Sequence, residues 1–508
     1  MRVLMWHGWL LDGTGSNVYA AKTAGALRAA GHDVVILCQE PRPQAIRSVD
    51  GWGTVDGTGV SGIEPTGHPS AAGRLVALRP GIGPVLPVFV LDEYEGFEEV
   101  KRFVDLSDQE LAVYLDLNVE ALAAAAAWHR PEATIVGHLV PAAEIARQAL
   151  GPRYLAKIHG SDLEYAIRPQ QRYRILAGSG AAGARAISGS SSDVLARAVE
   201  LVPEVRGKTV SIPPGVEVER WRPLPRRQGL ELATTLLEAD PDLVRGRSDS
   251  VDRAVALALG SHDGEALDSL AATYDQWSPD RSSAERLRGL AGVQGPVVGY
   301  VGKFIPQKGV DRYLCALALL EPEVRGLVVG FGSQREWLEA LVMALDRADQ
   351  RDLAFLSSRL QVELSAAEAR AAAGFASRVT FTGRLDHRYA PAAVAAMDVM
   401  VVPSVLEEAF GMVAAEAAAA GVLPLVARHS GLAEVAAALE GAVARPGLFS
   451  FEPGPGDTAR IVAGVERLLG LGGDERERLG SELSRFVARE WTWERTATRL
   501  LEAATREG

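Results

Sequence analysis

The chain has 508 residues, 47% hydrophobic and 23% charged, with a formal net charge of −12. That length exceeds what one core usually organises, roughly 100–200 residues, so two large domains, or two plus an insertion, are expected. The acidic balance argues against a protein built to track nucleic-acid phosphates or anionic lipid, although a local basic pocket needs only a few cations. The two cysteines, Cys38 and Cys315, lie in apolar runs, form no metal-ligand cluster and suit a reducing cytoplasm.

The opening MRVLMWHGWLLDGTGS lacks the cleavage pattern of a signal peptide. No segment reads as a bilayer span, because the alanine-rich stretches carry charges at helical spacing. A cytoplasmic protein with no nucleic-acid partner and at most a peripheral membrane association is expected.

In chain order, RVLMWHG reads as a strand, LLDGTGSN as a loop, VYAAKTAGALRAAGH as a helix ended by Gly31, and DVVILCQ as a strand. This βαβ opening implies a parallel sheet. Residues 41–85, rich in Gly, Pro and Ser, read as an elaborated loop region. PVFVLDE reads as a buried strand, and the acidic run through Glu93, Glu95, Glu98 and Glu99 as a solvated face. A long helix is predicted from Asp108 to about Trp128, followed by the strand-to-loop units ATIVGHL, RYLAKIHG and ARAISGS. KTVSIPPGVEVERWRPL closes this half. From about Arg226 to Gly292 the chain is polar and helical without a strong strand, and reads as an insertion or an interdomain helical cap. Strand-loop-helix alternation restarts at GPVVGYVGKF and runs through VRGLVVGFGS, SRVTFTGRL, MDVMVVPSV, GVLPLVARH and the strand-like GAVARP. The end is an amphipathic helix broken around Trp491 to Trp493. The expected fold class is α/β, with two doubly wound parallel-sheet domains.

Three segments carry chemistry. In Glu407–Gly421 a strand leads to Gly411 and then a helix, so the N–H groups of Gly411, Met412 and Val413 face outward at a helix start able to meet an anion. Glu408 and Glu416 flank that start and suit sugar and ribose hydroxyls. In VVGYVGKFIPQKG a strand ends at Gly302, and Lys303 and Lys308 stand at the crossover, where two cations suit a leaving diphosphate. In KIHGSD, His159 follows a strand and Ser161 and Asp162 suit a helix cap. Each has a plainer reading taken alone: an ordinary helix start, solvated loop lysines, a structural histidine.

Together and in this order, the segments resemble family 4 retaining glycosyltransferases, which have the GT-B fold of two facing Rossmann-like domains. The shared pieces are the loop Gly13 to Ser16, HGSD at His159 to Asp162, SIPPGVEVERWRP, GKFIPQKG, VVGFG ending at Gly332, VTFTGRL, the Glu-x7-Glu segment and the final WTWE. The resemblance implies an acceptor-binding domain over 1–215, a nucleotide-sugar domain over 216–485, and a helix over 486–508 returning to the first. It implies that Glu416 binds the ribose and that Glu408 meets the donor sugar, with the backbone from Phe410 to Val413 close by. Lys303 and Lys308 would hold the diphosphate beside Gly302 and Gly332. His159 would lie against the sugar across the cleft, and Gly15 and Ser16 would face the diphosphate or acceptor. Catalytic roles thus fall to His159, Lys303, Lys308 and Glu408. The first cation, most often Arg in the family, is Lys303 here, which keeps the charge but loses the planar fork. The implied reaction is retaining hexosyl transfer from a nucleoside diphosphate sugar to an unspecified acceptor hydroxyl. It proceeds by front-face displacement with no metal and no cofactor beyond the donor. A sugar-nucleotide epimerase on the same fold, and an inactive nucleotide-sugar-binding protein, are the alternatives.

Overall fold

The structure is a computed structural model that describes residues 1–68, 72–91, 94 and 97–506. It divides into two compact units, Met1–Gly215 together with Trp491–Gly508, and Val216–Glu490.

The first unit is built on β1 (Arg2–Trp6), β2 (Asp33–Leu37), β3 (Gly51–Asp56), β4 (Gly59–Pro65) and β5 (Arg74–Pro80). A separate parallel pair, β6 (Val85–Val88) and β7 (Glu99–Arg102), follows. The main sheet then continues with β8 (Ala133–Gly137), β9 (Leu155–Lys157), β10 (Ala186–Gly189) and β11 (Thr209–Ser211). Its nine strands lie in the order β11-β10-β9-β8-β1-β2-β5-β3-β4, all parallel except the β3–β4 hairpin at the edge. Central strands such as Val34–Leu37 are almost wholly buried, as expected when helices cover both faces of a parallel sheet. The chain direction reverses its order between β1 and β8, a switch point whose carboxyl edge is the usual place for a ligand.

Three expectations are corrected here. Residues 41–85 are not mainly loop, because β3, β4 and β5 extend the sheet. Burial alternates along β3, and its glycines are packing residues: a Cβ on Gly53 would stand 2.7 Å from both Ile63 Cδ1 and the Ser61 carbonyl oxygen. The strand near PVFVLDE is Val85–Val88, with Val90 and Leu91 exposed. Of the acidic run, Glu93 and Glu95 lie outside the described residues, and Glu98 and Glu99 are exposed. Helix Asp108–His129 is long and apolar enough, by length and composition, to cross a membrane. In this unit it is a layer of the core: Leu111, Leu115 and Leu122 are buried, and Trp6 Nε1 donates to Asn118 Oδ1 at 3.1 Å. Its alanine run, Ala123 to Ala127, raises mean hydropathy without enlarging the side chains. Helix Trp493–Thr505 packs on helix Gly15–Ala29 in the same unit. The break before it falls at Trp491 and Thr492, after helix Gly473–Glu490.

The second unit contains β12 (Val297–Lys303), β13 (Arg325–Phe331), β14 (Val379–Phe381), β15 (Val399–Val402), β16 (Leu423–Ala427) and β17 (Ser450–Phe451). They are all parallel, in the order β14-β13-β12-β15-β16-β17. Numbered within the unit this is 3-2-1-4-5-6, the doubly wound arrangement, with its switch point between β12 and β15. GAVARP is not strand: it is the end of helix Ser430–Ala442 and the turn after it, and the last strand is Ser450–Phe451.

The stretch from Arg226 to Gly292 is helical, with helices Arg226–Glu238, Val251–Gly260, Gly264–Leu270 and Ser283–Ala291. It belongs to the second unit and is clasped to it by charge. Arg247 and Glu336, each 1% exposed, are joined at 2.8 Å, and Tyr274 donates to Glu336 at 2.8 Å. Arg335 pairs with Asp280 at 2.7 Å, and the Asp280 N–H donates to the Thr382 carbonyl at 2.9 Å. Such groups are stable in a core only when paired and hydrogen-bonded together.

Candidate functional site

In the second unit, the switch point brings the loop after β12 against the loop after β15. The Val405 N–H donates to the Gln307 carbonyl at 2.8 Å. Gly309, at φ +64°, leaves no room for a side chain, since a Cβ there would stand 2.3 Å from the Pro403 carbonyl oxygen. This stitching sets Lys308 Nζ in a direct ion pair with Glu408 Oε1. Ser404 Oγ donates to the same oxygen at 2.8 Å. Burial alone would raise the Glu408 carboxyl, but the Lys308 charge and the hydrogen bonds from Lys308 and Ser404 outweigh it and hold it below its ordinary range.

The backbone of Glu408 is fixed from behind. Its N–H donates to Ser430 Oγ at 2.9 Å, and its carbonyl accepts from the Gly431 N–H at 3.0 Å. His429 Nε2 donates to the Ser404 carbonyl at 2.7 Å, which leaves Nδ1 as the acceptor for the Ser430 hydroxyl at 3.1 Å. Ser430 carries φ +48°, an unfavourable backbone state for a residue with a Cβ, retained here by the bonds it makes.

Gly411, at φ +102°, starts helix Met412–Ala419; its carbonyl accepts from the Ala414 N–H at 3.0 Å, and the N–H groups of Met412 and Val413 have no i−4 partner within the helix. Met412 and Val413 are half-buried, and Phe410 is buried in the core. Glu416 is also buried, 3.9 Å from His387 Nε2, and His387 Nδ1 lies 3.5 Å from Glu217. Lys308 and Glu408 are therefore joined directly, whereas Glu416 stands in a separate carboxylate–imidazole group. Lys303 ends β12 with Nζ 5.5 Å from the centroid of the Phe331 ring. Gly302 pairs with Gly330 across β12 and β13, and a Cβ on Gly332 would stand 2.6 Å from the Phe304 carbonyl oxygen.

In the first unit, Gly15 and Ser16 open helix Gly15–Ala29 near the carboxyl edge of β1. A Cβ on Gly15 would meet nothing within 4 Å, so this helix start is open. Tyr19, one turn on, meets His159 edge-to-face with ring centroids 5.2 Å apart. His138 lies 4.5 Å from His159 and 6.1 Å from His7 by ring centroids. These three histidines follow β8, β9 and β1, neighbours at the switch point. Burial pushes His7 down to about 4; burial and the neighbouring imidazoles hold His138 and His159 well below the ordinary value. All three rings are neutral near pH 7. Asp162 is not a helix cap but a tie: its carboxylate accepts the N–H groups of Leu139 at 2.7 Å, Gly160 at 3.0 Å and His159 at 3.3 Å.

Ser404, Ser430, His429, His387, His7 and His138 were not singled out by sequence. His7 and His138 each left a local signal, a histidine directly after a strand, and the φ of +74° at His138 marks a constrained position.

Comparison with known proteins agrees with this framework. The family described as "Glycosyl transferase 4-like domain" matches residues 14–215, and "Glycosyl transferases group 1" matches residues 285–482. The 2-deoxystreptamine glucosyltransferase of Streptomyces kanamyceticus is 30% identical over 285 residues, 54% of this chain and 58% of that protein's length. Among solved structures, sucrose-phosphate synthase from Thermosynechococcus elongatus superposes with a TM-score of 0.56 at 19% identity, covering 98% of this chain and 96% of that one. Anabaena HepE, solved in complex with UDP and glucose, gives a TM-score of 0.57 at 13% identity, with 98% of each chain covered. The fold is GT-B, with two Rossmann-like units in one chain. Within that class, the chain belongs to the group 1 glycosyltransferases of family 4 type.

Proposed function

We propose that the chain transfers a hexose from a nucleoside diphosphate sugar to an acceptor hydroxyl, with retention of anomeric configuration and without a metal ion or further cofactor. The Lys308–Glu408 pair beside the helix start at Gly411 carries this reading. It supplies a held cation, a carboxylate and a positive helix end at one switch point, the set a leaving diphosphate and a sugar hydroxyl need. The UDP and glucose held by HepE, and the glucosyltransferase name of the Streptomyces relative, support a nucleoside diphosphate hexose as donor.

In this scheme Lys303 and Lys308 take the charge that grows on the diphosphate. The bond from the anomeric carbon to the phosphate oxygen breaks, and the acceptor oxygen bonds to the same face. The departing phosphate oxygen takes the acceptor's proton. Glu408 orients Lys308 and accepts from a sugar hydroxyl, which suits a positioning group rather than a nucleophile. Glu416 takes the ribose hydroxyls. Buried, unpaired Cys38 and Cys315 favour a cytoplasmic setting.

The test is incubation with a panel of nucleotide sugars and polyhydroxylated acceptors in the presence of a chelator, with the product anomer read by NMR. Retention is expected, and Lys308→Ala should lower kcat by about 10²–10³-fold or more while the protein stays folded. Glu416→Ala should weaken nucleotide binding in calorimetry. An inverted product, or a new sugar nucleotide formed with no acceptor, would overturn the reading; the latter outcome marks an epimerase.

A further inference from the structure

The segment between the two family matches, residues 216–284, holds Trp277, whose indole stands at the carboxyl edge of the second unit's sheet. Its backbone runs antiparallel beside the end of β14, through the Pro279–Gly383 bridge and the Asp280 N–H bond to Thr382. This strap brings the indole onto Phe331, the last residue of β13, with ring centroids 5.1 Å apart and planes at 44°. The Arg384 guanidinium sits 4.6 Å from the indole centroid and 5.7 Å from that of Phe331. Arg384 Nη1 donates to the Trp277 carbonyl at 3.3 Å. Lys303 approaches the same Phe331 ring from the end of β12. All four side chains are half-buried, so this is a surface cluster and not a sealed core.

We infer that Trp277, Phe331 and Arg384 form the seat for the nucleobase of the donor, supplied in part by the insertion. The inference rests on the donor reading above and deepens it. Two aromatic rings and a planar guanidinium offer flat, polarisable faces, which suit a purine or pyrimidine better than a sugar or a phosphate. Lys303 borders the cluster on the side of the switch point, where the diphosphate is placed. A nucleoside diphosphate thus lies with its base at the β13–β14 edge and its phosphates at β12. The clasp of Arg247 and Arg335 already fastens the insertion to the unit through buried pairs, so a half-exposed indole is not required for that purpose.

Calorimetric titration of the full chain with UDP, ADP, GDP and inorganic pyrophosphate tests the inference. Loss of base stacking should weaken binding of the preferred nucleoside diphosphate to Trp277→Ala by about tenfold, or about 1.4 kcal/mol. Pyrophosphate affinity should not change, and Trp277→Phe should come back to within about threefold of the native protein. Trp277→Leu keeps bulk without a π face; if the alanine variant melts early, the leucine variant must show the same loss. Leucine and alanine variants that both bind the nucleotide within about twofold of native, with Lys308→Ala weakened, would overturn the base seat and leave the donor reading standing. Pyrophosphate affinity falling in step with the nucleotide would also overturn it. A native protein that binds no nucleoside diphosphate would overturn the donor reading and the seat together.

Discussion

Lys308→Ala separates the electrostatics of the fold from those of the reaction. In the native protein the Glu408 carboxylate has two charge-assisted partners on one oxygen, Lys308 Nζ and Ser404 Oγ, with 32% of the lysine side chain and 22% of the glutamate side chain exposed. Hydrogen bonds to charged groups contribute about 1.5–3 kcal/mol in a buried setting; discounted for this exposure, the lysine's loss should cost about 1–2 kcal/mol. At about 2–3 °C per kcal/mol for a unit of this size, the melting temperature falls by about 2–6 °C. The sign with pH follows from the carboxyl. Its folded pKa is depressed, so its contribution is fully present above the unfolded value, about 4.3, and is lost as pH falls through the folded value. The gap between native and variant is therefore widest near pH 7 and narrows below pH 4. Lys308→Ala/Glu408→Gln removes the stranded charge, so its melting temperature should return close to native while its transfer activity stays lost. Differential scanning fluorimetry across pH 3.5–8, with a transfer assay at neutral pH, reads all three proteins. A single-variant deficit unchanged at low pH, or a double variant no more stable than the single, would refute the reasoning.

Two further outcomes follow from buried charges. Burial lowers Lys157 to about 7, with Nζ 2.9 Å from Ser190 Oγ and 4.8 Å from the Tyr19 ring centroid. Between pH 7 and about 10.4 the unfolded chain binds the extra proton, so native stability gains with rising pH relative to Lys157→Met, and urea titrations at pH 7 and 9.5 should show that slope. A difference between the two proteins that does not vary with pH would count against it. Arg247→Met strands Glu336 in the core with Tyr274 as a remaining donor, and should cost the second unit about 3–5 kcal/mol in urea unfolding. An unchanged midpoint would show that the clasp contributes nothing net.

What sequence disclosed and what it concealed divide along one physical line. Lys303, Lys308, Glu408 and Gly411 were visible because each sits at a strand end or helix start whose residue pattern is local. Their supports were not, because Ser430 reaches Glu408 from the next helix and His387 reaches Glu416 from more than 25 residues upstream. The β3–β5 strands were hidden by composition: glycine there answers the close approach of β4, not the freedom of a loop. Glu416 shows the limit most clearly, since its place in the Glu-x7-Glu spacing was plain but its imidazole neighbour was not.

The insertion poses the same limit in its strongest form. Its helices carry ordinary polar faces, and no local pattern marks Arg247, Trp277 or Asp280 as different from the charged and aromatic residues around them. They become distinct only when the end of β13, the helix Arg335–Arg347 and the end of β14 bring Phe331, Glu336 and Thr382 to meet them, roughly 50 to 105 residues later. Fastened by two buried ion pairs, the segment is held rigidly enough to position a side chain at the sheet edge. A site residue can therefore come from a stretch that neither family pattern covers, and the Trp277 variants are the direct measure of whether this one does.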